Sequence, residues 1–465
     1  MADQGMSEPG FNLTSQAPYR PSDEEMAAIK AAIDADELVA LALELGNIPS
    51  PSRHEAAASD FVYRWMEGEG FRPRQVGVTP DRQNVIGEYG GRGRGKNLLY
   101  TAHLDTESPT WDPDLDVYRY RPETLADPEW QQCWLEDGKL FGFPISNDRG
   151  PMSCFLIAAK ALRKAGIELA GKLYLTACPG EIGPDPVEEW RGYEYLGKDI
   201  GAHYLFHHGG VAPDFAIAAE GTDFGLTWQG CGTAVYRIRL LGQGVFTPIL
   251  THPEKAEDHP NPIYRLGPVI EALHRWGREY EVRHAYETEG GHSIPKVQID
   301  SVRAGNPLSF GAGTEVCSLY LEVALTPQMK AADVEHELIE LLSGTPVESF
   351  EVEPVVVRHG FEAKPDEVMP LVAAVDDATR NVLGVPVKRA AAPYSSMWRD
   401  QNVFNMHRIP AVTTGMPRWR PTPADLAHSA MIYAATALAI CGRAETGSTK
   451  SSGASVYGSE NPFGN

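Results

Sequence analysis

Three short apolar runs, NLLYTA (97–102), KLYLTA (172–177) and FAIAA (215–219), are separated by helical stretches such as SCFLIAAKALRKAG, and each run leads directly into a polar loop. Such alternation predicts an α/β domain with a largely parallel sheet flanked by helices. Sites in that architecture sit beyond the carboxyl ends of the strands.

The flanking segments fit the same plan. From Ser22, SDEEMAAIKAAIDADELVALALELG offers a Ser N-cap, acidic residues in the first turn and apolar residues at helical spacing as far as Gly46. HEAAASDFVYRWMEGEGF repeats that pattern up to Gly68 and Gly70. Near Gly230 the character changes: TAVYRIRLLGQG alternates, PIYRLGPVIEALHRWGREY is helical, VCSLYLEVAL reads as a strand, and MKAADVEHELIELLSG is a second helix before FEVEPVVV. This β-α-β-α-β order predicts a small α+β sandwich inserted into the first domain. The main domain then resumes with a helix in DEVMPLVAAVDDATRNVLG, a strand in IPAVTTG and a last helix in DLAHSAMIYAATALAI. The expected organisation is therefore an arm at 1–22, a main domain at 23–229 and 359–443, an insert at 230–358, and a Gly/Ser-rich flexible tail at 444–465.

Composition narrows the partners. Against 63 Asp plus Glu stand 41 Lys plus Arg, a balance of 41 − 63 = −22. That excess repels phosphate backbones and anionic lipid, which argues against nucleic-acid or membrane-surface binding and for small molecules. No apolar run of membrane-spanning length is evident, and the amino terminus lacks a basic-then-apolar leader, so the expected location is cytoplasmic. The six cysteines are scattered, form no CxxC pair and mostly sit in apolar runs, as buried free thiols do.

The chemistry gathers at the strand ends. TAHLDT places His103 and Asp105 two apart on extended chain, facing the same way, so that one can bind a metal while the other orients it. In SNDRGPMSC, Asp148 precedes a helix, to bridge cations or merely to cap it. Glu181 follows a Pro-Gly turn in LTACPGEIG, and Glu220 directly follows the strand in AIAAEGTDFG. One imidazole and three carboxylates make an N/O-rich set suited to Zn²⁺, Mn²⁺ or Co²⁺.

At these residues the chain resembles the metal-dependent exopeptidases and amidohydrolases that include aminoacylase, carboxypeptidase G, peptidase T and succinyl-diaminopimelate desuccinylase. The resemblance runs from about residue 25 to 443 and makes the insert a lid and dimerisation domain. It implies that His103 and Glu220 bind a first metal, Asp105 orients His103, Asp148 bridges and Glu181 binds a second metal, in a homodimer or higher homo-oligomer. The departures are specific. Gly180 stands where the resemblance implies a general-base Glu, with Glu188 and Glu189 nearby only in sequence. No His falls in the C-terminal ligand slot, His428 and His407 being the nearest substitutes. His252 stands near the spacing of a lid histidine that polarises the scissile carbonyl, and Ala324 replaces an Arg. These losses imply one firmly held metal and a second held weakly or not at all, with Glu181 free to act as proton acceptor.

MWRDQNVF and MPRWRP add Arg399, Arg418 and Arg420 beside Trp398 and Trp419, a composition suited to a carboxylate on an apolar or aromatic body, or to plain surface packing. Cys178 reads as a buried thiol and His207-His208 as a surface pair. The leading expectation is hydrolysis of a C–N bond in a small carboxylate-bearing substrate by metal-activated water. The alternatives are hydrolytic deamination of an activated aromatic amine of aminobenzoate type, and a non-catalytic binding protein on the same fold.

Overall fold

The structure, a computed structural model, describes residues 10–107, 121–130, 132–183, 187–188, 192–306, 308 and 310–445. Its centre is an eight-stranded sheet in the order Arg74–Thr79, Arg82–Gly90, Lys172–Cys178, Leu98–His103, Phe215–Ala219, Ala411–Thr414, Gly225–Thr227 and Lys388–Arg389. The four middle strands, from Lys172–Cys178 to Ala411–Thr414, pair in parallel and are buried on both faces. The three expected apolar runs are thus three of these four strands, and the fourth is the expected AVTT segment. Their carboxyl ends lie side by side, which places the loops carrying Glu181, His103, Glu220 and Arg418 along one edge.

Helices cover this sheet. Gly150–Lys164 and Pro423–Cys441 pack on it with Ala35–Gly46 and Pro365–Leu383, around a core that includes Leu38, Phe155, Leu175, Ile217, Val372 and Leu438. Contrary to the expectation that no segment has membrane-spanning length, Pro423–Cys441 has, among the described residues, the length and hydropathy to cross a membrane. It is instead a core helix, with 72% of that apolar window buried in the protein.

The segment after Ser22 forms two helices, Asp23–Ala32 and Ala35–Gly46, where one was expected. The start is as read: Ser22 Oγ accepts from the Glu25 amide at 3.2 Å while Glu25 Oε2 accepts from the Ser22 amide at 2.8 Å. The break comes from Asp34, whose carboxylate accepts from the Asp36 and Glu37 amides and so starts a second helix in the middle of the periodic pattern. The amino-terminal arm is not loose where it is described. Phe11 packs on Trp228 with ring centroids 5.2 Å apart, and the Tyr19 amide donates to Ala439 O at 2.8 Å. Residues 1–9 and 446–465, the remainder of the arm and nearly all of the expected tail, lie outside the described residues.

A second, four-stranded antiparallel sheet has the order Val297–Ala304, Val316–Leu325, Gly232–Leu241 and Phe350–Arg358. Helices Leu266–Arg283 and Ala331–Ser343 cover one face, burying Val269, Leu273, Trp276, Val334 and Leu338 against Ile238, Leu319 and Leu321. The order here is β-α-β-β-α-β. The strand absent from the sequence reading, Val297–Ala304, is an edge strand with an exposed, polar pattern, which hides the apolar alternation. The two chain crossings into this sheet run close together. A Cβ at Gly232 would lie 1.9 Å from Arg358 O, so only glycine fits.

All six cysteines are free and buried, as expected. A buried ion pair stands beneath the site loops: Arg82 Nε and Nη2 donate to Glu55 Oε2 and Oε1 at 2.8 and 2.6 Å, and Arg82 Nη1 also donates to Leu196 O. Burial pushes the Glu55 carboxyl up and Arg82 works against it. Arg82→Leu strands that carboxylate in the core and is expected to cost about 3–5 kcal/mol in chemical denaturation, whereas Arg74→Leu on the half-exposed Glu88 pair is expected to cost about 1 kcal/mol or less.

Candidate metal centre

His103 closes its strand with the imidazole fully buried. Its Nδ1 meets the main-chain carbonyl of Asp105 at 2.7 Å, while the Asp105 carboxylate is farther away at 3.5 Å. An Nδ1–H donated to that carbonyl leaves the Nε2 lone pair free for a ligand. Asp105 thus contacts the His103 ring chiefly through its backbone.

The Asp105 carboxylate binds the neighbouring loop instead. It accepts from the Glu181 amide at 3.0 Å, the Ile182 amide at 2.9 Å and Ser52 Oγ at 2.7 Å. Burial opposes ionisation of Asp105, but the His103 hydrogen bond and charge outweigh it together with Ser52 and the Ile182 amide, and the carboxyl is held well below the usual range.

Around His103 Nε2 stand Asp148 Oδ2 at 3.2 Å, Asn147 Oδ1 at 3.2 Å and Glu181 Oε2 at 3.9 Å. One ligand atom each from His103, Asp148 and Glu220 lies within 4.8 Å of the others, and all three residues are buried. Asp148 caps no helix: both its carboxylate oxygens lack a hydrogen-bond partner, as does Glu220 Oε2. Buried polar atoms left unpaired in this way are costly, and a divalent cation satisfies them. The donor set therefore fits the metal that the motif implied. Burial pushes the Asp148 carboxyl up to about 6, against the pull of His103 and Arg399, and burial likewise raises Glu220 far above the ordinary carboxylate range. Burial disfavours the His103 imidazolium, but Asp148, Asp105 and Glu181 outweigh it and raise its pKa.

Gly180 has a positive φ of 78°, and a Cβ there would approach Gly197 O to 2.4 Å. No glutamate fits that slot without moving the loop. Glu188 does not replace it, being bound to Arg237 at 2.5 Å and to the Tyr320 hydroxyl across the two sheets; Glu189 lies outside the described residues. Glu181 lines the cleft above His103.

The centre opens into a cleft of about 380 Å³ between the two sheets, lined on one side by Glu181, Lys198, Trp398, Arg399 and Arg418 and on the other by Thr233, Lys296 and Ala324. Arg399 Nε lies 2.6 Å from Glu220 Oε2, a charge contact whose angles fall short of a hydrogen bond, so Arg399 Nε and Nη2 keep unspent donors. Arg418 Nη1 is likewise buried and unpartnered. Arg420 is not brought into the cleft: it pairs with Glu129 at 2.6 Å and lies over the Phe141 ring, the plain packing that its composition also allowed. His252 sits in an exposed loop, with His259 5.5 Å away, and does not line its own chain's cleft. His428, on the core helix, is not part of the ligand group, and His407 stacks on Phe206.

Three further residues belong to this centre. Asn147 touches His103, and buried Arg149 donates to His103 O at 3.3 Å, to Leu104 O and to Ser50 Oγ, holding the strand end in place. Asp400 is buried beside the cluster, its carboxyl pushed up to about 8 by burial and then by the charge of Glu181. Asn147 and Arg149 flank Asp148, and Asp400 follows Arg399, so adjacency to a candidate was their one sequence signal.

No family model matches the chain. A curated relative, the N-formyl-4-amino-5-aminomethyl-2-methylpyrimidine deformylase of Bacillus subtilis (strain 168), is 23% identical over 357 residues, covering 72% of this chain and 74% of its own. Among solved structures, a di-peptidase from Saccharomyces cerevisiae matches with a TM-score of 0.63 at 12% identity, covering 91% of this chain and 100% of its own. Human carnosine dipeptidase 1 matches with a TM-score of 0.60 at 14% identity, over 90% and 99%. A dinuclear metal binding peptidase of the M20 family from Bacillus subtilis matches with a TM-score of 0.57 at 15% identity, over 89% and 99%. At such identities the likeness shows the fold, and that fold is the one of the metal-dependent exopeptidases and amidohydrolases that the strand-end motifs resemble.

Proposed function

We propose that the protein is a metal-dependent hydrolase that cleaves a C–N bond of amide or peptide type in a small carboxylate-bearing substrate. The observation that carries this reading is the buried His103–Asp148–Glu220 group at the floor of a cleft, with both Asp148 carboxylate oxygens unpaired. Zn²⁺, Mn²⁺ or Co²⁺ suits one imidazole and two carboxylates. Such a cation polarises a carbonyl and acidifies a water.

The chain's own groups supply the rest. Asp105 fixes the His103 ring from behind and, by holding the Glu181 and Ile182 amides, sets Glu181 over the centre. Glu181 accepts a proton at Oε2 and returns it to the leaving nitrogen, the task that Gly180 leaves open. Arg399 Nη2 and Arg418 Nη1 hold the substrate carboxylate, Arg399 Nε remaining on Glu220, and Trp398 lines the wall beside them. The deformylase relative and the dipeptidase neighbours support C–N hydrolysis, each by its own activity. The buried free thiols suit a reducing, cytoplasmic compartment.

The chain works as a homodimer in this reading, through the second sheet's unit. Phe246, Ile249, Leu308 and Phe310 are exposed there, at 59%, 74%, 92% and 87%, and Thr247 joins their two loops by its hydrogen bond to Gly311. The same loop carries exposed His252, which in this reading serves the partner's cleft.

Glu181→Gln is expected to lower kcat on N-acyl amino acids or dipeptides by about 10²-fold or more while the metal content stays unchanged; full turnover would remove Glu181 from the mechanism. Adding the cation to chelator-stripped protein is expected to raise Tm, by binding the folded state alone. Cations bind the deprotonated ligands; burial raises Asp148 to about 6 and also raises Glu220, and the surrounding acids raise His103. Affinity in calorimetric titrations is therefore expected to fall as pH drops through about 6 and to go on rising above it as Glu220 and His103 lose their protons. Phe246→Asp with Phe310→Asp is expected to halve the mass read by light scattering; an unchanged mass would exclude this surface as the dimer contact.

A further inference from the structure

Resting on the metal-centre reading above, charge and geometry together bear on how many cations the site takes. Three buried carboxylates, Asp148, Glu181 and Glu220, surround the candidate position, and one buried guanidinium, that of Arg399, stands among them. Asp105 is engaged elsewhere, by two main-chain amides and Ser52. Arg418 is partly exposed at the cleft wall and screened by solvent, and burial raises the Asp400 carboxyl to about 8, so neither enters the count. The deficit left by three carboxylates and Arg399 is two charges, which a single divalent cation neutralises. A second would leave the buried site positive by two, and an uncompensated buried charge is strongly unfavourable.

The position of Arg399 fits that balance. Its Nε sits 2.6 Å from Glu220 Oε2, on a ligand of the centre, and its charge is felt most by Glu220, then Glu181, then Asp148. These are the carboxylates that a second cation would have to share. The only preformed ligand group among the described residues is His103, Asp148 and Glu220, with no imidazole on the Glu181 side to complete another. An arginine is always charged and cannot be lost to solvent, so it serves as a tethered cation.

We propose that Arg399 stands in for a second metal ion and limits the centre to one divalent cation. It acts as a positioning residue that holds Glu220 and neutralises the far side of the carboxylate cluster.

The test reads cation binding, not turnover. Chelator-stripped wild type, Arg399→Met, Arg399→Gln and Arg399→Lys are titrated with Mn²⁺ alone by calorimetry, with elemental analysis of the loaded protein and circular dichroism to confirm folding. The proposal expects one equivalent in wild type and in Arg399→Lys. It expects Arg399→Met, or Arg399→Gln should the first not fold, to take a second equivalent or to bind the first on the order of tenfold more tightly or better, because a nearby positive charge has been removed. Two equivalents of similar affinity in wild type would overturn it. So would unchanged stoichiometry and affinity in the neutral variants, or a gain in Arg399→Lys as large as theirs. A wild type that takes up no Mn²⁺, Zn²⁺ or Co²⁺ at all would instead overturn the metal-centre reading, and this proposal with it.

Discussion

The buried carboxylate of Asp105 is the link on which the centre depends. Two neighbouring parallel strands end side by side, and nothing in sheet hydrogen bonding alone fixes the loops that leave them. Asp105 closes that gap: its main-chain carbonyl sets the His103 ring, and its carboxylate takes the two amides that open the Glu181 loop. His103 beside it, with bonds from Ser52 and the Ile182 amide, keeps this carboxylate ionised inside the protein. Arg149 does the matching work on the strand side, binding the carbonyls of His103 and Leu104.

Burying so many acids together has a consequence for stability. Asp148 and Glu220 are desolvated and close to each other, and both Asp148 oxygens lack hydrogen-bond partners, so the ionised forms are unfavourable until positive charge joins them. Arg399 supplies one from the chain, and the remaining deficit is what a cation sees. Affinity for a metal and tension within the protein are thus the same quantity viewed from two sides.

The wall of the cleft comes from both sheets, so its shape depends on how the inserted unit is attached. The crossings at Gly232 and Arg358 lie too close for any side chain between them, and Glu188 reaches from the main domain to Arg237 and Tyr320 on the second sheet. Lys296 and Ala324 face Glu181 and Arg399 across this junction. Residues more than a hundred positions apart, such as Glu181 and Lys296, line one cleft there, which local patterning does not encode.

The three apolar runs, the helix caps, the buried thiols and the His103, Asp148, Glu181 and Glu220 set were legible in the chain itself, because hydrophobic period and ligand type are local properties. The break at Asp34 was missed, since a mid-pattern cap looks like any acidic residue on a helix face. The edge strand Val297–Ala304 was missed because it buries little. Tertiary structure alone decided that Arg399 faces Glu220 while Arg420 turns away to Glu129, though each directly follows a Trp. It alone decided that Gly180 admits no side chain, by setting Gly197 O against it, and that Asn147, Arg149 and Asp400 join the centre. The sequence by itself determined which side chains could serve a metal at the strand ends; which of them do is a matter of distance, and distance is set only when the sheet, the helices and the insert pack together.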